Sequence, residues 1–239
     1  MLEKTRGIIL HTVKYGDNSL ILTIYTEKFG RQSYIINGAR NPRSKNKAGL
    51  LQPLFIVDLE IYQKKGRDLQ RIKEIKISSP YTTIPFDVIK TTQIIFVSGI
   101  LYKIILEEEQ NSELFQFIES SLIFFDMMDR GKPDFHIWFL AHLTQYLGIV
   151  PNTEPKDGWL DMKKGLMVVS EPPHPGYMNQ EISSHFKELL NLRITDLPYF
   201  KISRESRTQL LTKIIEYYQI HFGNVVSLKS SEILKEVFH

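Results

Sequence analysis

The hydrophobic residues of this chain change their period once, and that change limits the fold more than any single motif does. Up to about residue 80 they recur at every second position: Leu20, Leu22 and Ile24 alternate, as do Phe55, Val57, Leu59 and Ile61. A period of two puts alternate side chains on one face of a strand. Five strands are expected, near 6–14, 19–26, 32–37, 53–62 and 68–77, with Lys28-Phe29-Gly30 and Lys64-Lys65-Gly66-Arg67 as tight connections. In the fifth, Ile72, Ile75 and Ile77 keep a strict alternation only if a bulge intervenes.

After Pro80 and Pro85 the period becomes helical. A helix is expected over about 86–108 through Ile95, Leu101 and Ile105; its interior Gly99 costs about 1 kcal/mol relative to Ala, which calls for close packing on a neighbour. Leu114, Ile118, Leu122 and Phe125 form the core stripe of a second helix, with Ser112 as its N-cap. A third, about 134–148, starts after Pro133 and stops at Gly148. Pro155, Pro172, Pro173 and Pro175 interrupt the helical pattern, and Trp159-Leu160 and Leu166–Val169 flank Lys163-Lys164-Gly165 as a β-hairpin would. Helices resume at about 180–191, 204–222 and 231–238, the second of these after Ser203. The expected class is α+β. A five-stranded OB-type barrel over 1–80 precedes a helical domain over 81–239, with a hairpin insertion at about 152–178.

A chain of 239 residues with 42% hydrophobic content has enough apolar material for two such cores. No stretch approaches the roughly 18 consecutive apolar residues of a membrane span. Met1-Leu2-Glu3-Lys4-Thr5-Arg6 runs straight into a strand pattern without the features of a signal peptide, so a cytoplasmic location is expected. The absence of cysteine removes disulfides, thiolate nucleophiles and sulfur-based zinc sites. The net charge of +3 conceals an asymmetry: residues 1–80 carry 15 Lys and Arg against 7 Asp and Glu, whereas residues 81–239 carry 15 against 20. Such asymmetry suits one domain that faces a polyanion, and by itself it suits a solubilising surface charge equally well.

Signatures of catalysis are missing. There is no GxxxxGK[ST] phosphate loop, GxGxxG fingerprint, HExxH helix or GxSxG elbow, so ATP use is not expected. His136 and His142 are six apart and point to different faces of a helix. Glu107-Glu108-Glu109, at consecutive helical positions, fan around the axis instead of converging on a metal ion. No enzyme, cofactor or metal is expected.

The strongest local signal is Gly38-Ala39-Arg40-Asn41-Pro42-Arg43-Ser44-Lys45-Asn46-Lys47, four cations within eight positions of a loop between the third and fourth strands. Flexible cations suit phosphates, and Arg adds a planar fork for two phosphate oxygens. Lys64, Lys65, Arg67, Arg71 and Lys73 form a second group, with Tyr34 and Tyr62 as candidate stacking platforms beside the two patches. A basic loop is also met as a merely solvated face; the barrel pattern and the positive half together favour nucleic-acid binding.

These residues carry a resemblance. Gly30, then Gly38-Ala39-Arg40 followed by Ser44, then Leu51-Gln52-Pro53, and later Leu147-Gly148-Ile149-Val150-Pro151 make the chain similar to the RecO family of bacterial recombination mediators over essentially its whole length. The resemblance implies an OB-fold N-terminal domain, a helical C-terminal domain, binding to single- and double-stranded DNA, annealing of complementary strands, and partnership with RecR. With RecR such proteins help load RecA onto strands coated by single-stranded-DNA-binding protein. Many members carry four cysteines forming a zinc module after the Leu-Gly…Pro helix end; this chain has none, and apolar residues of the Trp159–Val169 hairpin are expected to take the metal's place by packing.

The resemblance also implies a receptor for the acidic, hydrophobic-ended tail of single-stranded-DNA-binding protein. Such a receptor needs an apolar slot rimmed by cations. Arg204 and Arg207 share a face near a helix start, with Leu211 and Ile214 as one wall of the expected slot. Alternatives are an RNA-binding OB-fold protein of translation, a hydrolytic nuclease, and a scaffold whose helical domain recruits proteins while the barrel is incidental.

Overall fold

The structure, a computed structural model, describes residues 1–39, 41, 51–64, 66–154 and 157–223. Five strands open the chain: β1 (Leu2–Tyr15), β2 (Ser19–Thr26), β3 (Gly30–Ile36), β4 (Ile56–Tyr62) and β5 (Leu69–Ile77). They close into a barrel in the order β1-β2-β3-β5-β4, with β1 returning to β4 and a single parallel pair, β3 on β5. This is the OB connectivity expected from the strand pattern. The alternating residues fill its interior: Leu20, Leu22, Ile24, Val57, Leu59 and Ile61 are all buried. The bulge in β5 is present. Glu60 faces Glu74 while Ile61 faces Ile72, which leaves Lys73 as the extra residue and lets Ile72 and Ile75 both point inward.

β4 begins at Ile56, later than expected, because residues 52–55 turn: the Phe55 amide donates to the Gln52 carbonyl, and Leu54 adopts a left-handed φ of 58°. A non-glycine residue there costs about 1–2 kcal/mol. The side chain of Leu54 is completely buried and its amide donates to Ile9, which offsets that cost.

α1 (Val88–Ile104) and α2 (Ser112–Met127) follow a short 3-10 turn at Ile84–Phe86. α1 starts after Asp87, whose carboxylate accepts from the amides of Ile89 and Lys90. It ends earlier than the expected residue 108 because Arg31 of β3 reaches its last turn and donates to the carbonyls of Tyr102 and Ile105 at 2.8 and 2.7 Å. Glu107, Glu108 and Glu109 therefore lie in an exposed loop and not on a helix. The α2 cap is Asn111, which accepts from the Leu114 amide, in place of the expected Ser112. Gly99 does not serve close packing: nothing lies within 4 Å of where its Cβ would stand.

Asp126 at the end of α2 accepts from the amides of Thr82, Thr83 and Ile84, and the buried Lys90 ammonium donates to its carbonyl at 2.7 Å. Burial alone opposes ionisation of Asp126, but these hydrogen bonds outweigh it and hold the pKa at about 2. Such anchors fold α1 and α2 into one compact unit with the barrel. The units accordingly divide after Asp126, whereas residue 80 marks the change from strand to helix.

The second unit contains α3 (Phe135–Tyr146), a three-stranded sheet of β6 (Trp159–Asp161), β7 (Leu166–Val168) and β8 (Tyr177–Met178) in the order β7-β6-β8, then α4 (Gln180–Asn191) and α5 (Arg204–Phe222). The expected hairpin is β6–β7, and β8 adds a strand that the pattern did not announce. Asn179 and Ser203 cap α4 and α5. Phe139, Leu140, Phe186, Leu189, Leu210 and Ile214 are buried, and the buried Tyr218 hydroxyl donates to the Leu140 carbonyl at 2.8 Å. The helix expected over 231–238 lies outside the described residues.

Candidate nucleic-acid interface

The register of the β4–β5 ladder builds this site. Tyr62 and Arg71 are directly opposite each other, so their side chains share the outer face of the barrel. Both are exposed. The connection between the two strands adds the exposed Lys64 and Arg67, and the bulge adds Lys73. Tyr62 and Arg71 form a common wall between two hollows. One, of about 300 Å³, is also lined by Lys64, Arg67, Leu69 and Gln70. The other, of about 260 Å³, is also lined by Ile36, Asn37, Ile72 and Lys73.

Electrostatics separate this face from the rest of the barrel. Lys73 is paired with Glu60 at 2.9 Å; that hydrogen bond raises the lysine's pKa, and hydrogen bonds from Lys73 and Lys4 lower that of Glu60. Among the described residues no carboxylate pairs with Lys64, Arg67 or Arg71. A larger hollow of about 440 Å³ elsewhere on the barrel is lined by Lys4, Arg6, Lys28 and Lys76 together with Glu27, Asp58, Glu60 and Glu74. There Arg6 meets Glu27 at 2.9 Å and Glu119 at 2.6 Å, and Lys76 meets Glu74 at 2.8 Å. Cations whose field ends on neighbouring carboxylates offer little to a phosphate. The two smaller hollows, where Lys64, Arg67 and Arg71 have no carboxylate partner among the described residues, are the candidate interface.

Several expected site residues fall elsewhere. Tyr34 is a core residue with no exposure; its hydroxyl donates to Gln32, and it shares the inward face with Ile36, so it is not a stacking platform. Arg40, Arg43, Lys45, Lys47 and Lys65 lie outside the described residues. The expected tail slot is not formed by its four residues. Leu211 and Ile214 are buried in the core of the helical unit, and Arg207 is held by the buried carboxylate of Asp134; only Arg204 is exposed. Gln70, which is not among the expected site residues, is buried and bonds to the backbone of the basic connection at Lys64 and Arg67.

Neither His136 nor His142 belongs to this face. His136 is completely buried, and burial, together with the nearby Arg207, lowers its pKa to about 3. Burial also lowers that of His142, whose Nε2 lies 2.8 Å from the Leu189 carbonyl and 3.0 Å from that of Leu192. A zinc module does not fit the residues present. The chain has no cysteine, and among the described residues no group of three or more His, Asp or Glu is placed to hold a metal. The hairpin sheet instead encloses Leu160, Met162, Met167 and Met178, with the buried Asp161 carboxylate accepting from the amides of Lys163 and Lys164.

A closed OB barrel with a cationic, aromatic-bearing outer face defines a class, that of barrels suited to nucleic-acid strands. Comparison with known proteins narrows it. Residues 1–81 match the family described as recombination protein O N terminal, and residues 85–156 match recombination protein O C terminal. Proteins named DNA repair protein RecO from Phocaeicola vulgatus, Bacteroides fragilis and Flavobacterium psychrophilum are 35%, 34% and 34% identical to the chain, each over the full length of both sequences. The chain belongs to the RecO family of DNA repair proteins. Among the described residues no helix is long and apolar enough to cross a membrane.

Proposed function

We propose that the protein is a non-enzymatic recombination mediator of the cytoplasm and nucleoid: it binds single- and double-stranded DNA through the barrel and anneals complementary strands. With RecR it helps RecA onto strands coated by single-stranded-DNA-binding protein. The observation that carries this reading is the uncompensated cluster of Lys64, Arg67 and Arg71 around the exposed Tyr62 on an OB barrel of the RecO family. Cations of this kind lower the repulsion between two phosphate backbones, and the bases then recognise each other without a covalent step. Tyr62 supplies a π-face that any base can stack on.

The test is annealing of labelled complementary strands without ATP, with and without single-stranded-DNA-binding protein. Acceleration under both conditions is expected, and no acceleration under either would overturn the reading. If about six phosphates are engaged, log affinity for a single strand falls with log salt at a slope near −4. Equal or tighter binding of RNA of the same sequence would favour the RNA-binding alternative, because 2′-OH contacts would then be in use.

A further inference from the structure

The connection between β4 and β5 carries the basic side chains of the interface, and loops of this kind are ordinarily mobile. Here one side chain bonds to its backbone on either side, at Lys64 and at Arg67. Gln70, at the start of β5, is only 3% exposed. Its Oε1 accepts from the Lys64 amide at 2.9 Å, while its Nε2 donates to the carbonyls of Lys64 and Arg67 at 2.8 and 2.9 Å. One acceptor and two donors, the principal hydrogen-bonding groups of a carboxamide, are thus spent on the backbone of the two residues whose side chains face the hollow. The Gln70 backbone is in turn fixed by the parallel β3–β5 ladder, in which it is opposite Tyr34.

We propose that Gln70 is the positioning residue of the interface: its amide holds the backbone of Lys64 and Arg67 so that their side chains stand beside Tyr62 and Arg71. The proposal rests on the reading of that face as the DNA site. Two physical arguments support it. A connection ordered in advance loses less conformational entropy when its cations engage phosphates. An amide does this without charge. A carboxylate of the same size would still accept from Lys64 but could not donate to either carbonyl, and it would place a negative charge directly beneath the cations.

The experiment measures binding of the full-length protein to a fluorescein-labelled oligothymidylate by anisotropy, across a salt series, with thermal melting as the check on folding. Arg71→Ala tests the site itself; affinity is expected to fall about tenfold and the salt slope to become shallower by about 0.7. Gln70→Leu is expected to weaken binding about fivefold at moderate salt with the slope unchanged, because every cation is still present. That pairing of lost affinity with a retained slope distinguishes positioning from contact.

Gln70→Glu supplies the second readout. Its affinity should fall further than that of Gln70→Leu at pH 8 and recover toward wild type as the pH is lowered and the introduced carboxyl takes up a proton, which restores neutrality and one donor. The wild-type protein measured in parallel gives the baseline. If Arg71→Ala weakens binding while a folded Gln70→Leu binds like wild type, the role of Gln70 is refuted and the site stands. Unchanged binding by Arg71→Ala would refute the site and the proposal with it. Should Gln70→Leu not fold, a loss of affinity in Gln70→Glu that does not vary with pH would overturn the proposal.

Discussion

The sequence Lys-Lys-Gly occurs at 64–66 in the barrel and again at 163–165 in the helical unit, and the two copies are supported from below in different ways. Both end in a glycine with a left-handed φ, 72° at Gly66 and 66° at Gly165. Both are fastened by a buried side chain that bonds to the backbone of the turn. At the barrel the fastener is the neutral Gln70. In the small sheet it is Asp161, which accepts from the Lys163 and Lys164 amides at 3.1 Å each, lies 3.8 Å from the Lys164 ammonium and stands 3.4 Å from His174. Burial by itself opposes ionisation of Asp161, yet the Lys164 amide, the charge of His174 and the further hydrogen bonds hold its carboxyl below the usual range. A lysine-rich turn is therefore a statement about chain reversal; whether its charge reaches a ligand depends on what lies underneath.

The largest expected effect sets the two turns against each other directly. Replacing Lys64, Arg67 and Arg71 by Glu should weaken DNA binding at least about a hundredfold and make the salt slope shallower by about 2, for three lost phosphate contacts on a single strand. The double substitution Lys163→Glu, Lys164→Glu should change affinity by less than about twofold. Comparable losses in the two variants, measured by anisotropy on the same oligonucleotide, would break the distinction.

Removing the fasteners should separate structure from binding. Asp161→Ala leaves two amides of the β6–β7 turn without their acceptor and is expected to destabilise the helical unit by about 2 kcal/mol in denaturant unfolding, with DNA affinity unchanged. A variant that bound DNA more weakly while retaining its stability would give Asp161 a role in the interface.

The contrast between the units extends to acid. His136 is buried and His142 half-buried, and burial lowers the pKa of both. The unfolded chain binds protons at these positions below about pH 6.5, whereas in the folded chain His136 does so only near its pKa of about 3 and His142 only at a pH below the ordinary histidine range. They leave stability untouched above about pH 6.5 and lower it as the pH falls below that, by up to about 1.4 kcal/mol per pH unit for His136. Asp126 in the barrel unit, with its pKa at about 2, loses its contribution only as the pH drops below about 4. Amide hydrogen exchange at pH 5 should show protection lost first in α3 to α5. A simultaneous loss in both units would refute the separation.

The barrel was legible because its strands alternate cleanly and because the irregular spacing of Ile72 and Ile75 revealed the bulge that Lys73 occupies. Helix ends were less legible. The carbonyls at the end of α1 are capped by Arg31, a residue about seventy positions earlier that no local pattern connects with them. In the candidate site, Tyr34 could have been placed in the core, since it stands two residues from the apolar Ile36, and Gln70 could have been noticed as a polar residue on the inward face two positions before Ile72. The role of Arg207 could not, because its partner Asp134 comes from another element.

The smallest expected effect tests whether the two turns share one backbone geometry in different surroundings. Alanine at either glycine must adopt a left-handed conformation, which costs about 1 kcal/mol. At Gly66 nothing lies within 4 Å of the added methyl group, so Gly66→Ala should cost that and no more. At Gly165 the methyl would stand 3.3 Å from the Tyr217 hydroxyl, which donates to the Ile149 carbonyl at 2.6 Å. Gly165→Ala must therefore also disturb a hydrogen bond that anchors α5, and its total cost should be about 2 kcal/mol. Tyr217→Phe removes that hydroxyl, so the excess should disappear in the double mutant, with the two substitutions coupled by about 1 kcal/mol. Equal costs for Gly66→Ala and Gly165→Ala, or additivity between Gly165→Ala and Tyr217→Phe, would show that the Tyr217 contact does not constrain the turn.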